Sequence, residues 1–161
     1  AGGRMKRRVV DTNVAIVANG RKTNAGPKCR LAAVDALFDL IENGRIVIDA
    51  AGEMLAEYRP HLNSKGQPGV GDRFMFLVMQ NYDGKVERIV LGKAPDDSFV
   101  DFPDDPALAS FDRADRKFAA AARKAQVPVM NATDSGWFVH RAAFKKNGIK
   151  VEFVCGSNWR T

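Results

Sequence analysis

Arg7-Arg8-Val9-Val10-Asp11-Thr12-Asn13 is the stretch that decides how this chain folds. The β-branched pair Val9-Val10 gives way at once to a carboxylate and two cap-forming residues. That predicts a strand whose carboxyl end opens into a helix. In an open α/β sheet this end of a strand is where ligands bind. A carboxylate there costs free energy unless it is paired, hydrogen-bonded or bound to a cation. What faces Asp11 is the question the other residues answer.

Working outward, Val14 to Ala18 predicts a short helix capped by Asn13. A basic, glycine-containing loop over 19–28 follows, carrying Arg21, Lys22 and Lys28. Leu31, Val34, Leu37, Phe38 and Ile41 recur at helical steps, giving an amphipathic helix from Cys29 to Asn43 that stops at Gly44. Arg45-Ile46-Val47-Ile48-Asp49 reads as a second strand, apolar as a doubly covered parallel strand is. Asp49 is placed to cap a helix from Ala50 to about Arg59. A glycine- and proline-rich loop spans 61–71, a buried helix carries Phe74 to Met79, and Val86 to Leu91 favours a strand. Residues 93–107, with three prolines and five aspartates, form an irregular loop. A helix from Ser110 or Asp112 through Ala125, a strand at 127–130, a helix from Trp137 to Lys146 and a last strand at 149–155 complete the chain.

This alternation builds an α/β fold: three α/β/α layers around a mostly parallel central sheet. Right-handed crossovers bring the carboxyl ends of its strands to one edge. A single domain over 5–161 is expected, with residues 1–4 read as a remnant or disordered N-terminus ahead of it.

A hydrophobic share of 45% and a charged share of 27% fit a globular protein in water. No apolar run approaches the ~20 residues of a membrane span, so no membrane partner is expected. Cys29 and Cys155 lie far apart without metal-ligand spacing, and read as unpaired thiols in a reducing cytoplasm. The net charge of +6 suits either a polyanionic partner or simply a basic soluble surface. His61 and His140 lack zinc spacing. Gly66, Gly69 and Gly71 do not follow a strand, so their loop is not a phosphate cradle of the dinucleotide or P-loop kind.

The acids fall where such a fold would gather them. Asp11 ends the first strand and Asp134 lies just beyond the strand at 127–130. Glu53 and Glu57 sit one turn apart on the helix after the second strand, and Asp112 and Asp115 open the helix at 111–125. Taken singly, each reads as well as a helix cap or a first-turn acid favoured by the dipole. Their agreement on one edge points to chemistry. Mutual repulsion would make such a cluster unfavourable without hard divalent cations, which take oxygen ligands and serve phosphodiester hydrolysis.

These residues resemble the PIN-domain nucleases, a metal-dependent group that includes bacterial toxin ribonucleases. Val9-Val10-Asp11-Thr12-Asn13 is similar to the family's opening motif, and Glu57-Tyr58 to its second acidic position. Phe111-Asp112-Arg113-Ala114-Asp115-Arg116-Lys117-Phe118-Ala119-Ala120 resembles its third, and Asn131-Ala132-Thr133-Asp134-Ser135 its strand-end segment. The resemblance runs in the right order along nearly the whole chain. It implies Mg²⁺ or Mn²⁺ as cofactor, held by Asp11, Glu57, Asp115 and Asp134, with Asp112 as a further catalytic candidate. Thr12, Asn13 and Ser135 would orient the carboxylates. Glu53 competes with Glu57, because helix register is not fixed by one sequence.

The expected function is a metal-dependent endoribonuclease cutting single-stranded RNA, with Arg21, Lys22, Lys28 and Arg116 on the RNA backbone. An antitoxin protein is an expected partner if the chain is a toxin, and a homodimer stays open. The alternatives are a catalytically silent RNA-binding module of the same fold, or a nuclease acting on DNA or structured RNA.

Overall fold

The structure, a computed structural model, describes residues 5–21, 24–80, 84–156 and 159–160. Five strands form one sheet: β1 (Lys6–Val10), β2 (Gly44–Asp49), β3 (Val86–Ile89), β4 (Val129–Asn131) and β5 (Val151–Phe153). Their order is β3-β2-β1-β4-β5, and every pairing is parallel. Val9, Val10, Val47, Ile48 and Val129 are fully buried, as expected for strands covered on both faces. The Val86 to Leu91 stretch is indeed a strand, although it ends at Ile89.

Between the strands run α1 (Thr12–Ala18), α2 (Pro27–Asn43), α3 (Glu53–Tyr58), α4 (Val70–Gln80), α5 (Arg116–Ala125), α6 (Ser135–Val139) and α7 (Arg141–Lys146). α1, α2 and α4 pack together, α5 lies on β1, β2 and β4, and α7 covers β5. The result is the expected α/β/α layering. β2 and β3 extend the sheet to one side of β1, whereas β4 and β5 extend it to the other. The chain thus reverses its direction of growth between β1 and β4, which makes their carboxyl ends the topological switch point where such sheets bind ligands.

Local chemistry explains several boundaries that differ from expectation. α1 begins two residues early, at Thr12, because the cap is Asp11 rather than Asn13: the Asp11 Oδ1 accepts the Asn13 backbone N–H at 3.1 Å. The N-cap of the next helix is Gly52 rather than Asp49, yet the Asp49 carboxylate still satisfies its first turn, accepting from the Glu53 and Met54 N–H groups at 2.8 and 2.9 Å. That helix starts at Glu53, after Gly52 in the left-handed region at φ +86°. The segment opening the 111–125 helix is a 3-10 turn at 113–115, followed by α5. The helix expected from Trp137 to Lys146 is two short ones broken at His140, whose ring Nδ1 pairs with the Gly136 carbonyl at 2.8 Å.

Arg7 and Arg8, on opposite faces of β1, brace the sheet sideways. Arg7 forks onto Glu87 of β3 at 2.6 and 2.9 Å, and Arg8 onto Glu152 of β5 at 2.7 and 3.1 Å. Each clamp spans the strand lying between its partners, and paired forks of this kind are the stronger class of ion pair.

Cys29 and Cys155 correct the expectation of unpaired thiols. Their Cα atoms lie 4.7 Å apart and the sulfurs are bonded, across 126 residues of sequence. The bridge ties the first turn of α2 to the segment after β5. No helix among the described residues is long and apolar enough to cross a membrane.

Candidate metal centre

Asp11, Asp115 and Asp134 converge at the β1–β4 switch point. One carboxylate oxygen from each lies within 4.8 Å of the others, and among the described residues no other such acidic group forms. Asp11 arrives on the end of β1, Asp134 just past β4, and Asp115 from the 3-10 turn before α5.

Asp11 is 4% exposed and held from both sides. Its Oδ1 accepts from the Asn13 N–H and side-chain amide at 3.1 and 2.8 Å, and its Oδ2 accepts from the Trp137 indole at 2.7 Å. Asn13 continues across the switch point. Its amide donates to Asn131 Oδ1 at 2.8 Å, and its Oδ1 accepts the Ala132 and Thr133 N–H groups at 2.8 and 3.0 Å. Asn131 in turn donates to the Asp134 carbonyl at 3.1 Å. The two asparagines therefore fix the separation of Asp11 and Asp134. Asp134 caps α6 by accepting the Gly136 N–H at 2.9 Å, and a side chain at Gly136 would crowd that oxygen. Both caps are real, so capping and clustering are the same arrangement here.

The electrostatics are those of crowded anions. Burial, with a smaller push from Asp134, raises Asp11 to about 6 against the opposing donors Asn13 and Trp137. Burial raises Asp115 as well, and the charges of Asp11 and Asp134, a hydrogen bond with the Asp134 side chain and the charge of Asp112 carry it to about 8. Near neutral pH Asp115 thus keeps a proton unless a cation takes its place. Tyr58 packs beneath, its hydroxyl donating to the Val10 carbonyl at 2.7 Å. Burial, then the charges of Asp11 and Asp49, push that phenol well above its ordinary range.

Other expected site residues lie elsewhere. Glu57 does not join the cluster; it pairs with Lys117 Nζ at 2.8 Å, and the same ammonium donates to the Ala114 carbonyl at 2.6 Å. Glu53 pairs with Lys93 at 3.1 Å. Asp112 is exposed and caps the 3-10 turn through the Ala114 N–H at 3.1 Å, outside the converging group. Ser135 is exposed on the first residue of α6. Thr12 is 8% exposed, and its Oγ1 is buried with no hydrogen-bond partner, one residue from Asp11.

The basic residues divide similarly. Arg116 is structural: its guanidinium donates to the Phe111 and Ala109 carbonyls and lies 4.7 Å over the Phe102 ring. Arg21 donates to the His61 carbonyl at 3.3 Å. Lys28 is exposed in the first turn of α2, and Lys22 lies outside the described residues. Trp137, Asn131 and Lys117 were not among the expected site residues. Trp137 alone carried a signal, as a donor-bearing aromatic three residues after Asp134.

No family model and no curated protein matches the chain. Among solved structures, a domain of a functionally unknown protein from Methanocaldococcus jannaschii DSM 2661 is 20% identical. That match covers 92% of this chain and 90% of the other, with a TM-score of 0.44.

Proposed function

We propose that this protein is a divalent-metal-dependent endoribonuclease of the PIN-domain kind that cuts single-stranded RNA. The observation that carries the proposal is the meeting of Asp11, Asp115 and Asp134 at the switch point, within 4.8 Å and without a basic partner in the group. Anionic oxygens so arranged suit a hard cation such as Mg²⁺ or Mn²⁺. The residues fit that ion in two further ways. Asp115, at about 8, is a carboxyl whose proton a cation would displace. The orphaned Thr12 hydroxyl leaves a buried polar atom unsatisfied beside Asp11.

The cation supplies Lewis acidity toward a phosphodiester and a hydrolytic nucleophile at neutral pH. The chain's own residues do the positioning. Asp11, Asp115 and Asp134 would hold the ion, Asn13 and Trp137 fix the Asp11 carboxylate in one rotamer, and the Gly136 N–H fixes Asp134. RNA as substrate rests on the resemblance of the four motifs and on the basic net charge.

One observation favours the second reading, a silent RNA-binding module: Glu57 is held by Lys117 instead of joining the other acids. Cleavage separates the two. Purified protein is incubated with single-stranded RNA and DNA oligomers in Mn²⁺, Mg²⁺ or excess chelator, alongside Asp11→Asn. Metal-dependent cutting of RNA that the variant lacks supports the nuclease. Binding without cutting under every condition selects the silent module.

A further inference from the structure

Between α7 and the edge strand β5 lies a groove of about 640 Å³. Its floor is apolar, formed by Ala142, Ile149, Val151 and Phe153, and its rim is cationic, formed by Arg141, Lys145 and Lys150; no acid lines it. The charge is a property of the whole segment. From Ser135 to Val151 there is no Asp or Glu, while Arg141, Lys145, Lys146 and Lys150 all fall within it. The one acid on β5, Glu152, is neutralised by the Arg8 fork.

The groove is joined to the acidic centre through α6. Asp134 caps that helix, and Phe138 follows about 6 Å along its axis. The Phe138 ring meets the Phe153 ring at 5.7 Å, and the Arg141 guanidinium lies 3.9 Å over it. A flat cation on an exposed aromatic, an apolar floor and lysines along the rim are the elements from which single-strand tracks are built: bases on apolar and planar groups, phosphates on the cations. A second copy of this chain, itself carrying +6, would meet like charge here.

We infer that the α7–β5 groove is a binding track for single-stranded RNA, holding the strand that leads into the Asp11–Asp115–Asp134 centre. This rests on the nuclease reading for its direction, and the test keeps the two apart. Anisotropy of a fluorescein-labelled oligouridylate of about 12 nucleotides is followed in excess chelator, so that binding is read without cleavage. Lys145→Glu/Lys150→Glu is compared with Arg59→Glu/Lys65→Glu, an equal change of charge at exposed positions away from the groove.

The groove variant should weaken binding by roughly tenfold or more, and the log–log salt slope should fall by about 1.4, for two lost phosphate contacts. The control should stay within roughly twofold of wild type. With metal present, the groove variant should raise KM and leave kcat unchanged. Equal weakening by both variants, wild-type binding by the groove variant, or no binding by wild type overturns the track. If RNA is still cut at the acids in any of those cases, the nuclease reading survives without it. If RNA is bound through the groove yet never cut, the track stands and the nuclease reading fails.

Discussion

Trp137 donates its indole N–H to Asp11 Oδ2 at 2.7 Å, joining the first helix after β4 to the carboxylate at the end of β1. The indole is fully buried and packs edge-on against Phe111 at 4.8 Å, so the donor is aimed by packing. Trp137→Phe keeps most of the apolar volume and deletes the donor. A hydrogen bond to a charged acceptor contributes about 1.5–3 kcal/mol, so a loss of that order is expected in urea unfolding. Asp11 should also titrate higher than about 6, since the indole is one of the groups holding it down. Carboxyl-carbon NMR titration reads that shift. An unchanged Asp11 midpoint would contradict the orienting role given to Trp137.

The acidic centre sets a pH dependence of stability opposite to that of an ordinary protein. Asp11 and Asp115 have folded values near 6 and 8, above their unfolded range. The native state therefore binds more protons than the unfolded chain from about pH 4 upward. Their contribution to stability is fully present below the unfolded values, and is lost as pH rises through about 6 for Asp11 and about 8 for Asp115. Asp115 is only half-buried, so solvent screening reduces the effect. With chelator present, melting should fall by several degrees between about pH 5 and pH 9. Mg²⁺ or Mn²⁺ should raise Tm more at the high end than at the low end, because the ion replaces the proton. A metal effect independent of pH would argue against binding at these acids.

How far this centre was legible in the sequence depends on the range of the interactions. Strand ends are local, so Val9-Val10-Asp11 and the 127–134 stretch placed two of the acids correctly. The alternation of elements gave the parallel sheet, because doubly covered strands are apolar throughout. Residue spacing alone put Asp112 and Asp115 on one face; the motif resemblance favoured Asp115, and the structure supplies the physical reason for their separation. That separation turns on a 3-10 start in which Asp112 keeps extended backbone and spends its carboxylate on Ala114. That Glu57 sits apart from the three aspartates was not visible, because its partner, Lys117, comes 60 residues later and looks like one more basic residue on an alanine-rich helix. The disulfide was hidden for the same reason, since its cysteines meet only when α2 and the end of β5 do.

Asp72 organises the loop over 61–71. It is fully buried, and accepts from the Asn19 amide at 2.9 Å, the Asn63 N–H at 2.8 Å and the Gly69 N–H at 3.0 Å. Burial alone would raise its carboxyl; the Asn63, Gly69 and Asn19 donors outweigh that and hold it below the usual range. Gly71 permits the fit, since a Cβ there would lie 2.2 Å from the Ala15 carbonyl oxygen. Asp72→Asn turns one acceptor into a donor facing other donors, a loss of about 1–3 kcal/mol. In the wild type the contribution is present above the unfolded carboxyl value and lost as pH falls through the folded one. Hydrogen exchange should show the Asn63 and Gly69 amides deprotected in the variant, with the β1–β4 amides protected. Unchanged exchange at those two amides would mean that the loop is held by other contacts.

The Cys29–Cys155 bridge closes a loop that contains almost the entire fold. The strand β5 lies at the sheet edge, three residues long and half-buried, and the segment beyond it reaches α2. There the Trp159 carbonyl accepts the Gly26 N–H at 2.9 Å. Cross-linking so long a loop removes conformational freedom chiefly from the unfolded chain, worth about 2–4 kcal/mol. Cys155→Ser should lower the urea midpoint accordingly, and reductant should lower that of the wild type to the same level. The acids at the β1–β4 switch point are fixed by Asn13 and Asn131 rather than by the bridge. Metal-dependent cleavage should therefore survive reduction at temperatures where the protein stays folded. Activity lost on reduction, with the fold intact by circular dichroism, would show that the bridge and the centre are coupled, contrary to this separation.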